Sequence, residues 1–465
     1  MTRASLSAAL AAATLLASGP AAVAGTEHPA TPEAAAAEHD GPRTRIDIAE
    51  VTSPGGITAW LYEDHTIPIV TLEASFRGGA ALDPAETAGA TALMANLLRE
   101  GAGDLDATAF AAELESLASS LGFSAGSDAV SVSATTLVEN VEETFDLLRL
   151  ALVEPRFEQD NLARTRARQV ASLRSDAMDP GSIASRTFWA RAFPDHPYAR
   201  PADGTIETVE ALDRDNVVAA HERALARDNL LLAVVGAIDA ETLAPLLDEV
   251  FGGLPAESAE RPEPAEAALA GEVEVIEFGI PQSVVAFGHA GIPRDDPDFI
   301  PAFVLDHVLG GGGFGSRLTA EIRERRGLTY GIFTFLAPND LGWLYMGRFS
   351  SANDRVAEAI ELVRAEWART AAEGITEDEL ERAQQFLTGA YALRFDGNAR
   401  IASQLLGLQI AGLGTDYVNE RNALVEAVTL EDIERVADRL LDPEALSFVI
   451  VGQPQGVEAS EAAVR

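Results

Sequence analysis

The side chains that most often build metal or nucleophilic sites are scarce in this chain and poorly spaced. The sequence contains no cysteine, which excludes thiol catalysis and cysteine-ligated metals. No two of its seven histidines lie three to five residues apart, so no pair can coordinate a metal ion from adjacent turns of one helix. Histidines could therefore form a metal site only through long-range contacts.

A glycine-rich stretch in the second half of the chain is a further candidate for chemistry. Five glycines fall within residues 310–315, beside Phe314. Such a run can cradle phosphate, but this one lacks the Lys-Ser/Thr pair that completes a P-loop. A helix stop followed by a turn explains about one or two glycines, fewer than the sequence has. A small anion is therefore one candidate ligand of this stretch.

The elements that must position these residues occur twice in the same order. In each half, an alternating apolar pattern predicts strand structure that leads into a glycine-containing turn and a helix. A further strand, two helical segments and a closing apolar strand follow in both halves. This repetition predicts an α+β protein of two homologous αβ sandwich domains, each a mixed or antiparallel sheet with helices mainly on one face. The matching segments are 57–76 and 273–287, 129–135 and 342–350, helices that begin near Gln159 and Thr376, and strands that end at Gly236 and Gly452.

The first residues predict export from the cytoplasm. Met1-Thr2-Arg3, an apolar run and the small residues Ala22-Val23-Ala24 are typical of a signal peptide, here over 1–24. The apolar run is shorter than a bilayer span, and no later segment of the sequence approaches one. We therefore expect an exported, periplasmic protein with no membrane span; an uncleaved N-terminal anchor is the alternative.

Two stretches rich in alanine, proline and glutamate mark the limits of the folded parts. Residues 25–44 show no apolar periodicity and are predicted to be a disordered tail. Residues 254–271 have a similar composition. They predict a linker between an N-terminal domain over 45–253 and a C-terminal domain over 272–457.

The charge of the chain argues against one class of partner. The formal net charge is −39, and all 34 basic residues are arginine. An anionic surface repels a phosphate backbone, and the sequence has no basic stripe interleaved with aromatic residues, so we expect no nucleic-acid partner. Acidity of this degree is typical of a solubility adaptation; attraction of cationic peptides is the functional alternative.

The order of elements, the duplication and several local strings resemble the pitrilysin/insulinase family of zinc peptidases, in its short two-domain form. Arg77-Gly78-Gly79 stands where the family has a strand-to-helix turn, and the next helix matches the zinc-binding helix. The family's H-x-x-E-H would fall on Ala92, Ala95 and Asn96. Its third ligand, a glutamate, would fall on Ser172. None of these side chains offers zinc a carboxylate or an imidazole, so the resemblance implies a family member that binds no metal itself.

The C-terminal signature of the family is retained. In the family, an arginine and a tyrosine seven residues apart reach the zinc site of the other half or of another subunit, and Arg323 and Tyr330 stand at those positions. The resemblance implies catalytic roles, because a tyrosine hydroxyl can donate to an oxyanion and a guanidinium can bind substrate carbonyls. Arg325 and Arg326 compete for the arginine role with a poorer spacing. The plain alternative places Arg323 on an exposed charged helix and packs Tyr330 at the start of the next strand.

The resemblance implies that the chain is the non-zinc, substrate-binding subunit of an exported heterodimeric metallopeptidase. A homologous chain with an intact H-x-x-E-H would supply the zinc, and this chain would bind peptide at its glycine-rich stretch. We expect no cofactor in this chain and no activity from it alone. A structural or peptide-binding subunit without a catalytic role is the alternative. The expected substrate-binding residues are Gly311, Gly312, Gly313 and Phe314.

Overall fold

Two β-sheets, one from each half of the chain, organise the residues that the computed structural model describes, 45–460. The predicted signal peptide and disordered tail, 1–24 and 25–44, lie outside this range. The strands are β1 (Ala49–Thr52), β2 (Thr58–Glu63), β3 (Ile69–Arg77), β4 (Gly101–Ala102), β5 (Leu105–Asp106), β6 (Ser120–Ala125), β7 (Ala129–Leu137), β8 (Leu230–Gly236), β9 (Val273–Glu277), β10 (Gln282–Ala290), β11 (Thr329–Pro338), β12 (Trp343–Ala352) and β13 (Ser447–Gly452).

The two sheets share one topology. The first has the order β1-β2-β8-β3-β7-β6 and the second the order β11-β12-β10-β13-β9, while β4 and β5 form a separate short pair. Each main sheet contains one parallel pair, β2 with β8 and β9 with β13, and its other neighbours are antiparallel. Counted from the parallel pair, the strands β2-β8-β3-β7-β6 of the first sheet correspond in order to β9-β13-β10-β12-β11 of the second. Strand β1 is an extra strand at the edge of the first sheet. The predicted internal repeat is therefore present in the fold.

Each predicted opening strand segment, 57–76 and 273–287, is divided into two strands. In the first half β3 begins directly after Pro68, and in the second half β10 begins directly after Pro281. Proline has no amide hydrogen for the ladder and restricts the residue before it, so it ends a continuous strand. The alternating pattern alone does not reveal this break.

The helices pack their apolar sides mainly against one face of their own sheet, which confirms the predicted α+β sandwich. In the first half, Leu93 and Phe145 lie in one core with Phe76 of β3. In the second half, Trp367 lies in one core with Phe287 of β10. The helices are α1 (Ala90–Leu97), α2 (Ala107–Ser116), α3 (Val141–Val153), α4 (Gln159–Asp176), α5 (Pro180–Ala192), α6 (Ile206–Ala211), α7 (Arg214–Ala224), α8 (Ala240–Phe251), α9 (Phe299–Asp306), α10 (Val356–Glu373), α11 (Glu377–Tyr391), α12 (Asn398–Ile410), α13 (Tyr417–Glu426) and α14 (Leu430–Leu440).

Two helices cross between the halves and cover the opposite sheet. Phe188 of α5 lies in one cluster with Val449 of β13, on the second sheet. Leu405 of α12 lies in one cluster with Val235 of β8, on the first sheet. This exchange buries apolar surface of both sheets, and the described chain from Ile46 onward forms one compact unit.

The predicted linker, 254–271, lies between the two sheets in sequence and forms hydrogen bonds with both halves. It has no regular secondary structure. The amide of Ala265 donates to the carbonyl of Leu341, and the amide of Ala268 donates to the carbonyl of Ala192. Ala265, Ala267 and Leu269 of the linker pack against the cluster that joins α5 to the second sheet. Among the helices of residues 45–460, none combines the length and apolar character needed to traverse a bilayer.

Candidate functional site

The helix that resembles a zinc-binding helix has no metal-binding side chains. On α1, Ala92 and Ala95 are buried in the core, and Asn96 is exposed with its side-chain amide donating to the carbonyl of Ala92 at 2.9 Å. Ser172 is exposed on α4. Within residues 45–460, no group of three histidine, aspartate or glutamate side chains is placed to hold a metal ion. The described residues therefore do not fit zinc at this helix.

Protein contacts join the two helices that a metal would bridge in the family. The side-chain amide of Gln169 on α4 donates to the carbonyl of Gly89, the N-cap of α1, at 3.2 Å. Glu100, shortly after α1, accepts from Arg164 at 2.7 Å and from Arg168 at 2.9 Å. Partial burial raises the pKa of Glu100, but the hydrogen bonds from the two arginines lower it overall. Hydrogen bonds and ion pairs thus connect α4 to the start of α1 and to Glu100 just beyond its end.

Packing accounts for most of the glycine-rich stretch. Residues His307–Gly311 form a π-helical turn and Gly313–Gly315 a 3-10 turn. A Cβ on Gly310 would meet the Thr334 side chain. A Cβ on Gly311 would meet the Asp306 carboxylate, and one on Gly312 the His307 carbonyl. Gly313 has a φ of 60°, where residues with a side chain are strained. The run therefore has a structural reason of its own, and its proposed contact with substrate stays a prediction.

Arg323 lies beside an exposed aromatic ring. Phe314 is 72% exposed, and the guanidinium carbon of Arg323 lies 4.4 Å from the centroid of its ring. The competing arginines, Arg325 and Arg326, both pair with Glu321, the former at 2.6 Å. The ion pairs of residues 45–460 do not include Arg323, so its charge stays available to a ligand.

Tyr330 lies at the second residue of β11, an edge strand of the second sheet. The side chain is 93% exposed, so it does not pack at the start of the strand. A break in the pairing with β12 falls between Thr329 and Ile332, and this irregularity contains Tyr330. The segment that carries Arg323, Thr319–Glu324, packs against β11. The structure thus joins Arg323 to Phe314 and places Tyr330 on the adjoining strand, without a hydrogen bond from its hydroxyl within the described residues.

The residues around α1 and those around Arg323 belong to separate neighbourhoods. Helix α1 packs against α4, α7 and β6 of the first half. The segment Thr319–Glu324 packs against β11 and α10 of the second half. Helix α1 and the segment that carries Arg323 thus have their main packing contacts in different halves of the chain.

Sequence reasoning missed an aromatic residue next to the glycine-rich stretch. Phe386 of α11 is 60% exposed and stacks on His307 with ring centroids 4.9 Å apart. A signal was available, because the buried apolar side chains of α11 include Leu380, Ala383 and Leu387, and Phe386 falls outside that stripe. The exposed aromatic side chains of the second half therefore include Phe386 as well as Phe314 and Tyr330.

Comparisons with known proteins agree with this geometry. Residues 59–205 match the family described as insulinase (peptidase family M16), and residues 211–387 match the peptidase M16 inactive domain. A Helicobacter pylori protein, the non-peptidase homolog YmxG, is 27% identical over 84% of this chain and 90% of its own. An uncharacterized zinc protease of Mycobacterium leprae is 25% identical over 85% and 89%. The crystal structure of a peptidase M16 inactive domain from Pseudomonas fluorescens superposes with a TM-score of 0.82 at 26% identity, over 89% of this chain and all of that one.

Proposed function

The chain belongs to the insulinase family, peptidase family M16, as a member of the inactive type, and from this premise we propose that it is the non-zinc subunit of an exported heterodimeric metallopeptidase. The substrates are peptides, and the compartment is the periplasm. The partner is a homologous chain with an intact H-x-x-E-H, which supplies zinc to polarise the peptide carbonyl and activate water. This chain forms the opposite wall of the space between the two subunits in which the peptide binds.

The roles proposed for this chain's residues are those of hydrogen-bond donors. Arg323 binds carbonyl oxygens of the peptide backbone, and the Tyr330 hydroxyl donates to the oxygen on which negative charge develops during hydrolysis. Phe314 and the glycine-rich stretch contact substrate side chains. Because β11 is an edge strand, its unpaired backbone groups also offer an extended peptide a place to add.

One observation carries this proposal. Arg325 and Arg326 share an ion pair with Glu321, whereas Arg323 has no ion pair within residues 45–460 and lies against the exposed ring of Phe314. In a chain with a net charge of −39, an arginine without a carboxylate partner beside an exposed aromatic ring is suited to a substrate backbone.

The test is co-expression with a homologous exported chain that carries the intact motif; the adjacent reading frame is the first candidate. Cleavage of a fluorogenic peptide is measured for the parent pair and for Arg323→Ala and Tyr330→Phe. Loss of one transition-state donor is expected to lower the rate about 100-fold. Arg382→Ala serves as the control, since Arg382 is exposed and its ion pair among the described residues is with Asp378 of its own helix. Size-exclusion chromatography checks that every variant still assembles.

Two results would overturn the proposal. One is peptidase activity of the purified single chain that a chelator abolishes. The other is a parental rate for both variants in an assembled complex. The second result would favour a structural or peptide-binding subunit without a catalytic role. That alternative draws support from the glycine-rich stretch, which packing explains without a substrate.

A further inference from the structure

A cavity separate from the Arg323 site lies in the second half of the chain. Its volume is about 350 Å³, and residues of α9, the end of β11 and the helices α11, α12 and α13 line it. Its walls are mostly apolar and include the rings of Phe299, Phe303 and Phe335. A cavity of this size and lining suits a small ligand with an apolar body.

Three arginines line this cavity: Arg294, Arg394 and Arg421. The ion pairs formed within residues 45–460 include none of them. Arg294 donates to the Tyr417 hydroxyl at 2.7 Å, and Arg421 donates to the carbonyl of Leu387 at 2.7 Å, so their protein partners are neutral. Three arginines without an ion pair inside the described residues thus line one cavity of a strongly acidic protein, with Arg394 exposed to solvent and Arg421 buried.

Arg421 is the most confined of the three. It is 6% exposed, and its guanidinium carbon lies 4.6 Å from the ring centroid of Tyr391 and 5.6 Å from that of Phe303. Burial lowers the pKa of Arg421, and the charges of Arg394 and Arg294 lower it further. Aromatic faces offset only part of the cost of a buried cation, and an anion in the cavity would offset more.

Asp306 lines the cavity, but within residues 45–460 its carboxylate forms no ion pair with the three arginines. Asp306 accepts a hydrogen bond from the Thr334 hydroxyl at 2.6 Å. Burial raises the pKa of Asp306 to about 6, and the arginines are not among the groups that lower it. The cavity wall therefore carries one carboxylate, which bonds to Thr334, and offers the three arginines no carboxylate at ion-pair distance within the described residues.

We propose that this cavity binds an organic carboxylate whose body is apolar and preferably aromatic. Guanidinium groups match a planar carboxylate in two-point geometry, and the aromatic walls would bury the body of the ligand. An inorganic anion would leave those walls unfilled. Two sources share this chemistry, a free aromatic acid and the C-terminal residue of a peptide.

Helix α12 connects the cavity to the rest of the fold. Gln404, Gly407 and Leu408 of this helix line the cavity. Ile401 and Leu405 of the same helix lie in the cluster on the first sheet. A ligand in the cavity therefore contacts the helix that joins the two halves, and binding is expected to raise the melting temperature of the whole described unit.

The experiment is isothermal titration calorimetry on the full mature chain, with thermal unfolding in parallel. The probes are 4-phenylbutyrate, its amide 4-phenylbutyramide, the peptide Ala-Ala-Ala-Phe with a free or an amidated C-terminus, and inorganic phosphate. The variants are Arg294→Gln and Arg394→Gln. The matched control is Arg400→Gln, because Arg400 of α12 pairs with Asp396 at 3.6 Å and does not line the cavity.

The expected result is that at least one free carboxylate binds and its amide does not, and that each cavity variant weakens binding about tenfold or more. The control should bind like the parent protein. Binding of phenylbutyrate alone identifies a free acid as the source, and tighter binding of the peptide identifies a C-terminal residue. The proposal fails if neither carboxylate binds, if the amides or phosphate bind as tightly, or if both cavity variants keep the parental affinity.

Discussion

The guanidinium of Arg323 lies over the face of the Phe314 ring, with 4.4 Å between the guanidinium carbon and the ring centroid. Neither side chain is buried in the core, since Arg323 is half-buried and Phe314 is mostly exposed. Such a contact contributes about 0.5–1 kcal/mol at an exposed site. Because the ion pairs of the described residues do not include Arg323, the ring is the group that orients its charge.

Replacing this ring tests whether Phe314 positions Arg323. Phe314→Leu keeps an apolar side chain and removes the aromatic face. We expect kcat/KM of the co-expressed complex to fall about two- to fivefold, mostly in kcat, through lost orientation of the guanidinium. Leu393→Ala is the control, because Leu393 is equally exposed at 72%. If Phe314→Leu keeps the parental kcat/KM while Arg323→Ala lowers it, another group orients the arginine.

The glycine-rich stretch gives a prediction about stability. A methyl group on Gly312 would meet the backbone carbonyl of His307, which cannot move aside easily, whereas one on Gly315 would meet no neighbour. Gly312→Ala is expected to lower the free energy of unfolding by about 1–3 kcal/mol. Gly315→Ala is expected to change it by less than about 0.5 kcal/mol. Urea unfolding measures both free energies. Equal stability of the two variants would show that packing does not require glycine at position 312.

Local signals predicted the elements well. The N-cap Thr376 exchanges hydrogen bonds with Glu379 in a capping box, so α11 begins at Glu377, next to its predicted start. Helix α4 begins at Gln159 as predicted. Such boundaries depend on neighbours a few residues apart, and the sequence displays those neighbours directly.

Long-range packing was not predictable in the same way. The apolar residues of α5 and α12 indicate that each helix is buried, but they do not say which sheet buries it, and both cross to the opposite half. Arg294, Arg394 and Arg421 are far apart in sequence and meet at their cavity only after folding. The same holds for Gly310, which needs its small size because of Thr334. Spacing in sequence carries no information about such contacts.

Glu73 gives a prediction about pH. This residue of β3 is half-buried, and burial raises its pKa from 4.5 to about 7. The folded state therefore binds the proton more tightly than the unfolded state. Its contribution favours folding most below pH 4.5, declines as the pH rises to about 7, and is constant above that.

Removing the charge of Glu73 should remove this decline. Glu73→Gln is expected to be more stable than the parent protein at pH 8 by about 1–2 kcal/mol, after allowance for solvent screening, and equal to it near pH 4. Chemical unfolding at several pH values measures the difference. Glu50→Gln, at an exposed position of β1, is the control. A variant whose advantage does not change with pH would show that Glu73 ionises normally.

Restoring the motif should not restore a metal site. Ala92 and Ala95 are 2% and 0% exposed, so Ala92→His and Ala95→Glu would force large polar groups into the core beside α4 and α7. With Asn96→His added, we expect the free energy of unfolding to fall by several kcal/mol, of the order of 3–5, because a buried carboxylate would have no partner. Metal analysis should find no stoichiometric zinc, even after Ser172→Glu supplies the missing acid at an exposed position. Asn96→His alone is the tolerated control. Tight zinc binding by the fourfold variant would show that the contacts between α1 and α4 still leave room for a metal ion.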